Sequence, residues 1–279
     1  MTAARFALSA RFRLVLWRSA QILAAIAIAI TAAILFSPRP LLLQDVPFST
    51  CVLDRNGELL RVSLSDDHAW RIYTPLTELP PQLIDSTLLY EDRYFYQHPG
   101  VNPIALTRAA FNELFGWRGR FGASTITMQV ARRRFGLNSR SFSGKLLQIA
   151  RALQLERHYS KREILEAYLN LVPYGGNIEG AGAAARIYFQ HKPAELTLSQ
   201  CITLSVIPQS PAKRNPSAED EAELHRSRKL LAHKWIEQHP EDADALRSLD
   251  FSPPMAAARN LPFLAPQFTQ ALLSQQENA

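Results

Sequence analysis

The chain has 279 residues, 47% apolar and 20% charged, enough to bury a sizeable core and unlike a disordered polyelectrolyte. Two cysteines exclude a disulfide-stapled scaffold. A net charge of +6 points to an anionic partner: nucleic acid, a membrane surface or a phosphorylated substrate.

Residues 1–18 form a basic segment with Arg5, Arg11, Arg13 and Arg18, and no acidic residue precedes Asp45. An uncharged run over 19–38 follows, built around "ILAAIAIAITAAILF". At ~1.5 Å per residue, a helix over this run spans a hydrocarbon core of roughly 30 Å. The arginines place the N-terminal end in the cytoplasm and the body of the protein on the periplasmic side of the inner membrane. A cleaved signal peptide is the competing reading. It calls for a shorter apolar region of ~7–15 residues and a small-residue cleavage site, whereas "LFSPRP" follows here. The sequence therefore predicts an uncleaved single-pass anchor.

Beyond the anchor, "CVLDRNGELLRVSL" (51–64) reads as two strands around Asn56-Gly57, a hairpin signal. "AWRIYTPL" reads as a further extended piece. Pro80 and Pro81 open a helix, since proline suits a first turn. Ser160 and Glu163 form a capping box before the apolar stripe Ile164, Leu165, Tyr168, Leu169 and Val172, and Gly175 with Gly176 is expected to stop that helix. "GAGAAARIYF" is a small-residue helix, and Thr197 with Gln200 caps "LSQCITLSVI". Pro208 to Pro216 reads as a proline-rich loop, followed by a charged helix over about 221–238 and a linker-like tail. The pattern is mainly α with a small β-hairpin near the anchor. Cys51 and Cys201 read as structural and unpaired, and no metal-ligand spacing of Cys or His appears.

Two stretches carry chemistry. In "LLYEDRYFYQHPG" (88–100), Ile84, Leu88 and Glu91 fall at i, i+4 and i+7 of the helix, so Glu91 projects from its apolar side. Burial raises a carboxylate's pKa toward the range of a general base. An ion pair with an arginine at the helix end is the bland alternative. Asp92 points about 100° away and reads as structural. His98 reads as a turn residue or as one that orients a carboxylate.

The second stretch runs from Trp117 to Arg162. It holds eleven basic residues against the single acid Glu156, a local balance of +10. Inside it "GASTITMQVARRRF" brings Gly122, Ser124, Thr125, Thr127 and Gln129 beside Arg132, Arg133 and Arg134. Arginine forks with hydroxyl and amide donors form a phosphate-binding set. A solvated basic face and contact with anionic lipid headgroups are the alternatives. Nucleic acid is disfavoured, because the body lies outside the cytoplasm and aromatic interleaving is thin.

"EDRYFYQHPG", "GASTITMQVARR", "SGKLLQIARALQLERHYSKREILEAYLNLVPYGG" and "NIEGAGAAARIYF" resemble, in order, the motifs of the peptidoglycan glycosyltransferases of family 51. The resemblance covers 47–216, leaving 217–279 as a helical extension and tail. "GKLLQIARALQLE" and "LPFLAPQF" are most similar to the 1C subgroup of class A penicillin-binding proteins. Ser210–Lys213 is the only Ser-x-x-Lys, and it lacks the companion elements of a transpeptidase.

The resemblance implies a lysozyme-like helical domain lying against the membrane. It implies lipid II and a growing lipid-linked glycan as substrates, with membrane lipid and other cell-wall synthesis proteins, transpeptidases among them, as partners. Glu91 matches the catalytic glutamate. It would take the proton from the acceptor 4-hydroxyl, with inversion at the anomeric carbon and departure of undecaprenyl pyrophosphate. Ser124, Gln129, Arg132, Arg140 and Lys145 match positions around the pyrophosphate, and Phe95 and His98 match lining residues. The third motif departs from the family, with Gly144 for its arginine and Gln148 for its second glutamate. That glutamate is associated with a divalent cation, Mg²⁺ or Mn²⁺, at the pyrophosphate. Gln148 brings no negative charge, so no cofactor is expected to be required. Two other functions remain open: a glycan-cleaving lytic transglycosylase of the same fold and a non-catalytic cell-wall scaffold.

Overall fold

The computed structural model describes residues 10–114, 124–139, 141–214, 221–247 and 261–277. Arg118, Arg120, Gly122, Arg140 and Pro216 lie outside this set. The chain divides into two units, 1–40 and 41–279.

The first unit is a 26-residue helix, α1 (Ala10–Leu35). Among the described residues no helix is long and apolar enough to cross a membrane; several side chains of α1 lie outside that set.

The second unit begins with a hairpin, β1 (Cys51–Leu53) antiparallel to β2 (Leu59–Val62). Its turn follows the Asn56-Gly57 signal. Gly57 adopts φ 78°, and Asp54 Oδ1 accepts the amides of Asn56 and Glu58 at 2.7 and 2.8 Å. Next come β3 (Trp70–Arg71) and α2 (Pro81–Glu91), which opens at Pro81 as the sequence predicts. α3 (Pro103–Leu114), α4 (Ile126–Arg134), α5 (Phe142–His158) and α6 (Lys161–Leu171) follow. α6 carries the Ser160–Glu163 capping box.

The stop of α6 differs from expectation. Pro173 pushes Val172 into an extended conformation (φ −71°, ψ 136°), and the helix ends at Leu171. Gly175 and Gly176, both at positive φ, turn β4 (Pro173–Gly175) into β5 (Ile178–Glu179) instead. β5 sits between β4, antiparallel, and β3, parallel. Of this second sheet the sequence marks only β3, within the extended piece "AWRIYTPL"; its joining to β5 and β4, short strands distant along the chain, is not legible there. Buried Arg71 locks it, donating to Glu179 Oε2 at 2.6 and 3.1 Å and to Asp67 at 3.0 and 3.2 Å.

α7 (Ala181–Ala184) runs into one π-helical segment, Ala185–Phe189. Its small residues permit close packing, since a Cβ on Gly182 would lie 1.8 Å from Thr74 Oγ1. α8 (Leu198–Val206) has the Thr197–Gln200 capping box and is the central buried helix; Cys201, Ile202, Leu204 and Val206 have no exposed surface. Truncating one of its large side chains to Ala costs about 2–5 kcal/mol. The Cys201 thiol is free and pushed up to about 12 by burial, which makes it inert; Cys51 is also free.

The segment after Pro208 is not the loop expected. It forms a 3₁₀ turn, Ile207–Gln209, and α9 (Pro211–Arg214), because Pro208 and Pro211 both fall in first turns. α10 (Ala222–Ile236), α11 (Ala243–Arg247) and α12 (Pro266–Glu277) complete the described chain. Leu264 N–H, before α12, donates to Leu60 O at 3.0 Å.

α2 packs on α8, and α4 lies between α5 and α6. On α2 the fully buried face is Leu83, Ser86 and Thr87, with both hydroxyls bonded to Ser205 Oγ at 2.8 and 3.1 Å. Ile84, Leu88 and Glu91 form a half-buried flank beside that face. Glu91 therefore stands at the edge of the core, where one carboxylate oxygen can be enclosed while the residue still reaches solvent.

Candidate active site

Glu91 is the last residue of α2, and Asp92 caps it with φ −159° and ψ 72°. The Asp92 carboxylate is spent on structure. Its Oδ2 accepts the amide of Ile126, the first residue of α4, at 3.0 Å, and the carboxylate contacts His98 Nε2 at 2.9 and 3.1 Å. A carboxylate is favoured at a helix N-terminus, where unsatisfied amides gather. Thr125 completes the joint as the N-cap of α4. It accepts from Met128 N–H at 3.2 Å and donates to Gly100 O at 2.5 Å.

One turn into α4, Gln129 Nε2 donates to Glu91 Oε2 at 2.7 Å. Glu91 Oε1 is enclosed and has no hydrogen-bond partner among the described residues. Burial raises the Glu91 pKa above its ordinary value, against the Gln129 hydrogen bond and the charges of Arg214 and Arg132; the Asp92 charge adds to the rise.

The basic stretch separates into two groups. Lys161 donates to Glu156 Oε1 and His98 O, both at 2.7 Å, and lies 4.4 Å from the Phe95 ring centroid. Arg134 pairs with Asp45 and Leu41 O, and Arg151 binds Gln154 and stacks 4.8 Å from the Phe135 ring. These cations hold the fold. Arg132 is half-buried, its guanidinium makes no hydrogen bond or ion pair among the described residues, and it acts electrostatically on both Glu91 and Lys145. Lys145 donates to Ser124 Oγ at 2.8 Å and Gln148 Oε1 at 3.2 Å; burial, then Arg132, lowers its pKa.

A cleft of about 560 Å³ opens beside Glu91, lined also by His98, Ser124 and Thr125 and by Ile104 and Arg108 of α3. Asp92 contributes to this wall. Phe95 does not: it is 1% exposed and lies in the core, edge-on to His98. Gln148 is also interior, its Nε2 donating to Met128 O at 2.7 Å. The donor set beside Lys145 does not fit a protein-held divalent cation. Such ions need oxygen ligands, carboxylates above all, and Lys145 claims both the Ser124 hydroxyl and the Gln148 amide oxygen. Elsewhere, His239, Glu241 and Asp242 bring potential ligand atoms within 4.8 Å of one another, but Asp242 Oδ2 accepts Trp235 Nε1–H at 2.8 Å.

Two residues of the site carry no mark in the sequence. Arg214 is buried, donating to Tyr90 Oη, Val206 O and Gln209, and its charge acts on Glu91. Tyr168, read from its spacing as one member of an apolar stripe, has an enclosed hydroxyl without a partner among the described residues.

The family model described as "Transglycosylase" matches residues 56–235. The chain is 37% identical over 239 residues to penicillin-binding protein 1C of Escherichia coli, covering 86% of this chain and 31% of that protein. It is 35% identical to penicillin-binding protein 4 of Bacillus subtilis, over 68% of this chain and 30% of that one. It is 36% identical to penicillin-binding protein 1A of Vibrio cholerae, over 72% and 25% respectively. The chain thus spans less than a third of the length of these relatives. With Glu91 and Ser124 on one cleft, Gln129 bonded to the first and Lys145 to the second, all within the residues that the family model covers, this chain belongs to the transglycosylase family.

Proposed function

We propose that the chain is a peptidoglycan glycosyltransferase that polymerises lipid II into β-1,4-linked glycan strands. Glu91 takes the proton from the acceptor sugar's 4-hydroxyl. The oxygen attacks the anomeric carbon of the growing strand with inversion, and the C–O bond to undecaprenyl pyrophosphate breaks. Negative charge grows on the departing diphosphate, and Arg132 and Lys145, with Arg140 by its place in the motif, stabilise it. No step passes through a metal ion. The apolar run over 19–38, most of it in α1, anchors the domain in the inner membrane with the site on the periplasmic side. Lipid II, the lipid-linked strand, bilayer lipid and other wall-building proteins are the partners that follow.

The observation that carries this reading is the enclosed Glu91 carboxylate, its pKa raised by burial, with Gln129 on one oxygen and the charge of Arg132 acting on it. Burying a carboxylate opposes folding, so a scaffold gains nothing from it. A glycan-cleaving enzyme uses a carboxyl group, but has no diphosphate for Arg132 and Lys145 to meet. Labelled lipid II tests the reading. The wild-type chain yields glycan strands and Glu91→Gln yields none; cleavage of preformed glycan without polymerisation would favour the lytic alternative.

A further inference from the structure

Tyr168 and Glu91 each enclose an oxygen that no described residue bonds. Buried polar atoms are nearly always satisfied, so two such oxygens in one neighbourhood call for a joint explanation. They belong to one neighbourhood because Gln129 links them. Gln129 holds Glu91 Oε2 at 2.7 Å, and it shares with Tyr168 and Arg133 the wall of a void of about 10 Å³ between α4 and α6. That void approaches the size that admits one water, about 10–15 Å³. Tyr168 is only 2% exposed. We propose that Tyr168 is a positioning residue for Glu91, its hydroxyl donating toward the carboxylate's unclaimed oxygen through a single enclosed water.

The chemistry fits a donor that never ionises. Burial, and then the Glu91 charge, hold the phenol well above its ordinary pKa, so it keeps its proton wherever Glu91 is a carboxylate. Gln129 from one side and Tyr168 from the other then fix the carboxylate plane and aim its basic lone pair at the cleft. The other groups acting on Glu91 are Asp92 beyond α2, Arg132 on α4 and Arg214 on α9, and the Glu91 charge acts in turn on Tyr174 of β4. Arg133 acts on Tyr168 itself. None of them is bonded to Oε1.

Tyr168→Phe removes the hydroxyl and keeps the ring. Resting on Glu91 as the base, the expected outcome with lipid II has four parts. kcat falls about tenfold, as for loss of one group that orients a catalytic base. KM stays the same. The acidic limb of the kcat profile moves to higher pH, because a donor to the charged form has gone. In acid, where Glu91 is protonated in folded and unfolded chains alike, the thermal midpoint is unchanged or higher, because the hydroxyl has no protein partner to lose. A wild-type profile in Tyr168→Phe beside an inactive Glu91→Gln would overturn the role of Tyr168 alone. Full activity in Glu91→Gln would instead overturn the base assignment and this role with it. A drop in thermal midpoint in acid on Tyr168→Phe would also count against it, by showing a structural use of the hydroxyl that does not depend on the Glu91 charge.

Discussion

The Asp92 carboxylate accepts the Ile126 amide at 3.0 Å, tying the last turn of one helix to the first turn of another. Glu91 leaves the first helix one residue before that joint, and Gln129 leaves the second helix three residues after it. The 2.7 Å contact between Gln129 and Glu91 is therefore set by a carboxylate that does no chemistry.

Asp92→Ala strands the Ile126 amide in a buried place, a loss of about 1–3 kcal/mol. Urea unfolding should show a lower midpoint with an unchanged slope. Polymerisation should fall as well, because Gln129 no longer meets Glu91 in register. Full activity with full stability in this variant would contradict the joint.

Glu91 costs stability where it is charged. Below its ordinary value of 4.5 the residue is protonated in folded and unfolded chains alike. As the pH rises through that value the unfolded chain releases its proton first, so stability falls until the raised folded value is passed. Glu91→Gln should accordingly melt higher than wild type at neutral pH, the difference vanishing in acid. Thermal scans at the two extremes of pH check the sign.

Restoring the family's third motif should not improve this protein. A Cβ at Gly144 would lie 1.8 Å from Asn138 O, so Gly144→Arg strains the start of α5 at about 1–3 kcal/mol. Gln148→Glu replaces the donor to Met128 O with a carboxylate oxygen, at about 1–3 kcal/mol before any relief from Lys145. Both variants should melt lower and polymerise no faster, with or without added Mg²⁺. A gain in rate on adding Mg²⁺ to Gln148→Glu would mean that this position can still hold a cation.

The two groups of basic residues should separate in mutation. Arg132→Ala should cost about 10²–10³ in rate, the usual toll for losing one stabiliser of developing negative charge. It should also move the acidic limb to higher pH, because the Arg132 charge lowers the Glu91 pKa. Arg151→Ala, which loses a stacking contact on Phe135, should leave the rate unchanged. Similar rate losses in both would point to a diffuse basic face.

What was legible in the sequence was local. Asn56-Gly57, Pro81, Ser160 with Glu163 and Thr197 with Gln200 each act within a few residues, and each marks an element that the structure contains. The charge of the basic stretch was equally plain. Which of its cations are consumed was not, because the consuming groups, Asp45 and the His98 carbonyl, arrive from elsewhere in the chain. The sheet joining Trp70 to Ile178 was hidden for the same reason. The half-buried position of Glu91 depends on α8 covering the adjacent face of α2, where Ser205 meets the Ser86 and Thr87 hydroxyls. Helical spacing alone cannot distinguish a core stripe from its flank.

The central claim, that one enclosed carboxylate removes a sugar proton while cations meet a leaving diphosphate, is tested most directly by the pH dependence of lipid II polymerisation. Wild type should show a single acidic limb above 4.5, the ordinary value for glutamate, and Glu91→Gln should show no activity at any pH. Strand synthesis by Glu91→Gln with the wild-type limb intact would contradict it.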